Sequence, residues 1–222
     1  MIKLRTSLLI LLTLIIVFKL SLLVYTRGLR QIMKFKMHEK ISILCLLLTY
    51  EKNVNKVKAV EETWSKKCTK LVWCVDENTK MSGNVSFIIS PYKMGRNDLT
   101  PKVLHCLKKA WEIYPDMNYY LKADDDTFVV MDNLEKFIIE EDISWDQAYI
   151  FGRRFKVPDK LGIQSDYTQE GYLSGGAGYV MTRQAMQIFH ADARPCLDIE
   201  PEDVAIALLL RCLCSYEGNR NI

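Results

Sequence analysis

The chain has 222 residues, 49% of them hydrophobic and 26% charged, and a net charge of +3. That length accommodates one globular domain with a sizeable core and a short appendage. Its lysines and arginines are interleaved with acids and form no basic stripe punctuated by aromatics, which excludes nucleic acid as an expected partner.

The first segment with a clear character is Ser7–Tyr25, SLLILLTLIIVFKLSLLVY, apolar throughout except for Lys19. At helical rise it just reaches across the hydrocarbon core of a bilayer. It is long for the apolar region of a cleaved leader, and no small-residue cleavage pattern follows, so a retained signal anchor is the preferred reading. Residues 1–6 then form a cytoplasmic tail, 7–25 a transmembrane helix, 26–39 a basic stem and 40–222 the lumenal domain. Flanking charges leave the orientation open: Lys3 and Arg5 precede the span, whereas Arg27, Arg30, Lys34 and Lys36 follow it and by themselves favour the reverse topology. Two features favour a lumenal domain. The sequon Asn84-Val85-Ser86 is a glycan acceptor only on that side, and seven cysteines suit an oxidising compartment. A zinc site is not expected, because no paired CxxC or CxxC-plus-His pattern exists. Cys212 and Cys214 are too close for an easy mutual disulfide, and the odd count leaves at least one thiol free or intermolecular.

Beyond the stem, Ile41–Thr49 is a short, wholly apolar run with β-branched residues, the pattern of a strand buried on both faces of a parallel sheet. Asn53–Trp64 carries Val54, Val57, Val60 and Trp64 at helical spacing, and Lys70–Val75 is a second apolar run. The alternation continues with a strand at Ser86–Ile89, a helix at Lys102–Ile113, a strand at Tyr119–Ala123 and a helix at Asp132–Ile139. This order predicts an α/β fold with a mainly parallel sheet.

The strand at Tyr119–Ala123 runs into Asp124, Asp125 and Asp126. Three successive acids after a buried strand are costly unless something neutralises them, and a divalent cation is the natural candidate. In an extended segment Asp124 and Asp126 would point the same way, and their hard oxygens suit Mg²⁺ or Mn²⁺. A solvated acidic turn before the next helix is the plain alternative. The context favours chemistry: LKADDDTFVVMDNL at Leu121–Leu134 is followed by YIFGRRFK at Tyr149–Lys156, GYLSGGAGYV at Gly171–Val180 and the acidic pair Glu202-Asp203.

Together with ILCLLLT at Ile43–Thr49, ETWSKKC at Glu62–Cys68, the lysine of Leu99–Lys102, and Arg211-Cys212, these motifs resemble family 31 of the glycosyltransferases. Within it they are most similar to the core 1 β1,3-galactosyltransferases, and the GYLSGGAGYV form favours that branch. The resemblance implies a GT-A (Rossmann-like) fold, a mixed, mainly parallel sheet flanked by helices, in a type II single-pass Golgi membrane enzyme. It implies inverting transfer of galactose from UDP-galactose to N-acetylgalactosamine linked to serine or threonine of glycoproteins. It also implies Mn²⁺ held by Asp124 and Asp126, a nucleotide-sugar site with Thr49, Trp64, Lys102 and Asp125, and sugar or acceptor contacts from Tyr172, Gly175, Gly176 and Glu202. Asp203 is the candidate catalytic base, placed opposite the leaving group as inverting sugar chemistry requires.

Plainer readings accompany several of these. Trp64 fits a core position as well as a nucleotide site, Glu202-Asp203 after Pro201 also makes an ordinary helix start, and the glycines also make a flexible loop. The family likeness further implies the disulfides Cys45–Cys68 and Cys196–Cys212, and leaves Cys74, Cys106 and Cys214 unassigned. A homodimer is compatible with it. Departures from the family pattern are Leu210 in place of a glycine, Thr100-Pro101 beside Lys102, and no counterpart, in His38, His105 or His190, of a metal-ligating histidine in a later family segment. They raise two rival expectations: a catalytically silent relative acting as a chaperone-like or binding protein, and a fringe-like β1,3-N-acetylglucosaminyltransferase.

Overall fold

The computed structural model describes residues 14–29, 41–80, 85–93, 95–155, 171–191 and 206. The chain divides into two units, Met1–Lys40 and Ile41–Ile222. In the first, residues 14–29 form a helix, α1. Among the described residues no helix is long and apolar enough to cross a membrane, and residues 7–13 of the expected span lie outside them.

The second unit is built on a six-stranded sheet. Strand β1 (Ile43–Leu48) is buried at every position, as its unbroken apolar run requires. It pairs in parallel with β2 (Lys70–Asp76) and with β4 (Tyr119–Asp124), and β2 pairs in parallel with β3 (Ser86–Ser90). Beyond β4 lie β8 (Tyr179–Thr182), antiparallel to it, and β5 (Ile150–Gly152), antiparallel to β8, giving the order β3-β2-β1-β4-β8-β5. A two-stranded ribbon pairs β6 (Arg154–Phe155) with β7 (Tyr172–Leu173). The sheet is therefore mixed and mostly parallel.

Helices α2 (Val54–Glu62), α3 (Arg96–Ile113), α4 (Met131–Glu140) and α5 (Arg183–Ala191) cover the sheet. Alternation along β1 divides the core in two. Leu44, Leu46 and Leu48 pack with Val103, Leu107 and Ala110 of α3 and with Met186 and Phe189 of α5, and Ile206 joins that cluster. Ile43, Cys45 and Leu47 pack with Val57 and Val60 of α2, with Trp64, and with Met131 and Ile138 of α4.

Two disulfides fasten these layers. Cys45 of β1 joins Cys68, and Cys74 of β2 joins Cys106 of α3, each with Cα atoms 5.9 Å apart. The first is the pair the family likeness implied. The second assigns partners to two cysteines that the sequence left open. Cys196, Cys212 and Cys214 lie outside the described residues, as does Asn84.

Helix α3 starts six residues earlier than the periodicity indicated, before Pro101 instead of after it. Gly95 caps it in extended backbone and Asp98 occupies its first turn, so the proline removes one backbone donor near the start and spares the rest. The antiparallel strands β5 and β8 were not anticipated, because both lie inside motifs rich in glycine and arginine and are only three and four residues long.

Candidate active site

The sheet order places a topological switch between β1 and β4, since β2 and β3 continue to one side of β1 and β4 adjoins it on the other. The carboxyl ends of strands flanking such a switch are where open α/β sheets bind ligands. Thr49 follows β1 there, and the acidic triplet follows β4.

The triplet turns instead of running on extended. The Thr127 amide donates to the Asp124 carbonyl (3.1 Å), closing a turn over Asp125 and Asp126, so the alternating geometry expected of Asp124 and Asp126 does not apply. Each acid finds its own partners. Asp124 accepts from the ammonium of Lys122 at Oδ1 (3.0 Å). Asp125 is buried, and its Oδ2 accepts from the Thr49 hydroxyl (2.8 Å) and the Asn53 amide (2.8 Å), while Oδ1 lies 3.4 Å from Lys56 Nζ. Asp126, largely exposed, pairs with the same Lys56 (3.0 Å). The neighbouring carboxylates hold the Lys56 ammonium above its usual range, through the hydrogen bond to Asp126 first. Asp125 thus ties β1, α2 and β4 together, whereas Asp124 and Asp126 reach solvent.

Lys102 is fully buried in α3. Its ammonium donates to the carbonyl of Thr49 (3.2 Å), and burial pushes its pKa down against the opposing attraction of Asp76 and Asp125. It braces the end of β1 beneath the crevice. Trp64 belongs to the core on the α2 and α4 side, and its indole N–H donates to the carbonyl of Thr127 (3.1 Å). Of the two readings open for Trp64, the core position is the one observed, with one polar reach to the acidic turn.

The glycine motif closes the other side. After β7, residues Gly175–Ala177 form a turn that leads through Gly178 into β8. Gly178 has φ of +85°, and a Cβ there would come within 3.1 Å of the Lys122 carbonyl, so both backbone conformation and close approach call for glycine. Among the described residues a Cβ at Gly176 would meet only Asp124 Oδ2, at an ordinary contact distance of 3.7 Å. Two bonds join the acidic and glycine turns: Lys122 Nζ to the Gly175 carbonyl (3.1 Å) and the Thr127 hydroxyl to the Gly176 carbonyl (2.7 Å). Tyr172 lies in the β6–β7 ribbon, its ring 6.1 Å from that of Phe155. Glu202 and Asp203 lie outside the described residues.

The donors at the turn fit a hard divalent cation in kind, being two carboxylates that reach solvent. Among the described residues no group of three or more His, Cys, Asp or Glu side chains is placed to hold a metal ion. Four residues of the constellation escaped the sequence reading. Lys122 was detectable as the single charge inside an otherwise apolar strand; Asn53, Lys56 and Thr127 carried no signal of their own.

The structure thus joins an acidic turn at the switch point of a mostly parallel sheet to a glycine turn, at the place where open α/β sheets bind ligands. Residues 69–214 match the galactosyltransferase family, and the chain belongs to that family. It is 32% identical over 193 residues to glycoprotein-N-acetylgalactosamine 3-beta-galactosyltransferase 1 of Xenopus laevis, a match covering 83% of this chain and 49% of that protein. The chain thus spans about half the length of this relative.

Proposed function

We propose that the domain is an inverting β1,3-galactosyltransferase of GT-A type that transfers galactose from UDP-galactose to N-acetylgalactosamine α-linked to serine or threonine. The observation that carries the reading is the acidic turn of Asp124–Asp126 at the β1/β4 switch point, bonded to the Gly175–Gly178 turn, in a chain of the galactosyltransferase family. The acceptor and linkage are taken from the name of the Xenopus relative.

In this reading Asp124 and Asp126 hold Mn²⁺, which supplies Lewis-acid stabilisation of the departing diphosphate. Asp125 does not bind the ion: its bonds to Thr49, Asn53 and Lys56 hold the turn in place. Lys56, which already reaches Asp126, contributes positive charge where the diphosphate oxygens lie. Gly176 keeps side-chain bulk away from Asp124 Oδ2, which a Cβ there would approach to 3.7 Å. Asp203 takes the proton of the acceptor hydroxyl. The domain works in the Golgi lumen, anchored by residues 7–25.

The test is direct. The chain, produced in a secretory host, is incubated with UDP-galactose, Mn²⁺ and an α-linked N-acetylgalactosamine glycoside. The expected product is the β1,3-linked disaccharide, lost on chelation. A folded preparation that binds UDP with Mn²⁺ yet forms no disaccharide would overturn the transferase reading in favour of a silent binding relative. Transfer from UDP-N-acetylglucosamine alone would reassign the sugar.

A further inference from the structure

The turn that carries the acids and the turn that carries the glycines come from distant parts of the sequence, and Lys122 and Thr127 join them. Lys122 sits in β4 with 1% of its side chain exposed. Its ammonium bonds the Asp124 carboxylate and the Gly175 carbonyl and lies 5.8 Å from the centre of the Tyr179 ring. A buried ammonium needs such partners, because burial without them is costly. It bonds Oδ1 of Asp124, while Oδ2 is the oxygen that lies toward Gly176. Thr127 makes the second bridge. Its hydroxyl donates to Gly176, while its own carbonyl is pinned by the indole of Trp64, a core side chain. The glycine turn is thereby fastened at two successive carbonyls to a rigid part of the acidic turn.

We propose that Lys122 and Thr127 are positioning residues that clamp the Gly175–Gly178 turn against Asp124, fixing the distance between the nucleotide side and the sugar side of the site. Neither needs to touch substrate. The idea rests on the transferase reading for its effect on turnover, but its structural half stands independently.

The decisive variant is Thr127→Val, which keeps shape and volume and removes the bond to Gly176. Three measurements are made on the full chain: amide exchange of the glycine turn by mass spectrometry, UDP affinity with Mn²⁺, and the kinetics of galactose transfer. Loss of one hydrogen bond, of ordinary net strength, is expected to speed exchange roughly fivefold at Gly176–Gly178 and to lower kcat by about the same factor. UDP affinity should stay within about twofold, because Asp124 and Asp126 are untouched and only bonds to the reacting sugar depend on the turn. Thr127→Ser should restore both. Lys122→Met should act in the same direction and more strongly, its lost bonds being charge-assisted. Exchange unchanged in Thr127→Val overturns the clamp whether or not the protein transfers galactose. Faster exchange with full turnover overturns its functional role. If the wild type forms no disaccharide, the transferase reading fails by itself, and the exchange measurement still decides the clamp.

Discussion

Replacing Asp126 by asparagine removes a negative charge and almost no volume, at a side chain that is largely exposed. The exposed carboxylate pairs with Lys56, an interaction between solvated groups that contributes little to stability. If it is a metal ligand, Asp126→Asn should weaken Mn²⁺-dependent UDP binding by at least about tenfold, since a neutral amide oxygen is a poorer ligand for a hard cation. The unfolding midpoint should hardly move. Titration calorimetry with UDP, with and without Mn²⁺, checks it, and an unchanged affinity would remove Asp126 from the site. Asp125→Asn should do the opposite. That carboxylate is buried and bonded to Thr49, Asn53 and Lys56, so its loss is a folding defect first. The sequence reading separated Asp124 and Asp126 from Asp125 by strand alternation, whereas in the structure the three acids form a turn and differ by partner and burial: Asp124 bonds Lys122, Asp125 is buried against Thr49 and Asn53, and Asp126 is exposed beside Lys56. Lys102 shows the same limit: its place near the site was legible from the motif, but its burial under Thr49 follows from where α3 packs.

At the scale of elements, the legible part was the repeated strand and helix alternation from β1 to α4, where apolar runs and helical periods are long enough to declare themselves. Ile43–Leu48 could only be a buried strand, and it is buried on both faces. The antiparallel half, β5 and β8, was hidden because strands that short take their structure from their neighbours, Tyr179–Lys122 and Gly152–Tyr179 pairings among them. The Cys74–Cys106 bridge was hidden for a related reason, as its two ends meet only when α3 packs across β2 and β1. It closes a separation of 32 residues, for which chain entropy predicts a stabilisation of roughly 3 to 4 kcal/mol. Both cysteines are buried in the larger cluster, so the Cys74→Ala, Cys106→Ala double variant should keep the fold and lose about that much in urea unfolding. A loss under about 1 kcal/mol would mean that packing alone already holds α3 to the sheet.

For the whole molecule, the compartment and the chemistry must agree. Two disulfides, one joining β1 to the end of the first helical crossover and the other joining β2 to α3, require an oxidising environment during folding. The proposed lumenal domain, attached by the apolar run Ser7–Tyr25, would meet that requirement and would bring the sequon at Asn84 to the side where glycans are added. The flanking charges alone favour the reverse arrangement, with more lysine and arginine after the run than before it. Cell-free translation with microsomes separates the two. The proposed arrangement predicts one glycosidase-sensitive shift in mobility, abolished by Asn84→Gln, protection of the domain from added protease, and retention in the membrane after alkaline extraction. A protease-accessible chain without a glycan would reverse the topology, and a glycosylated chain released by alkali would make residues 7–25 a cleaved leader. In the last case the domain is still expected to fold with both bridges, because all four bonded cysteines belong to the unit Ile41–Ile222.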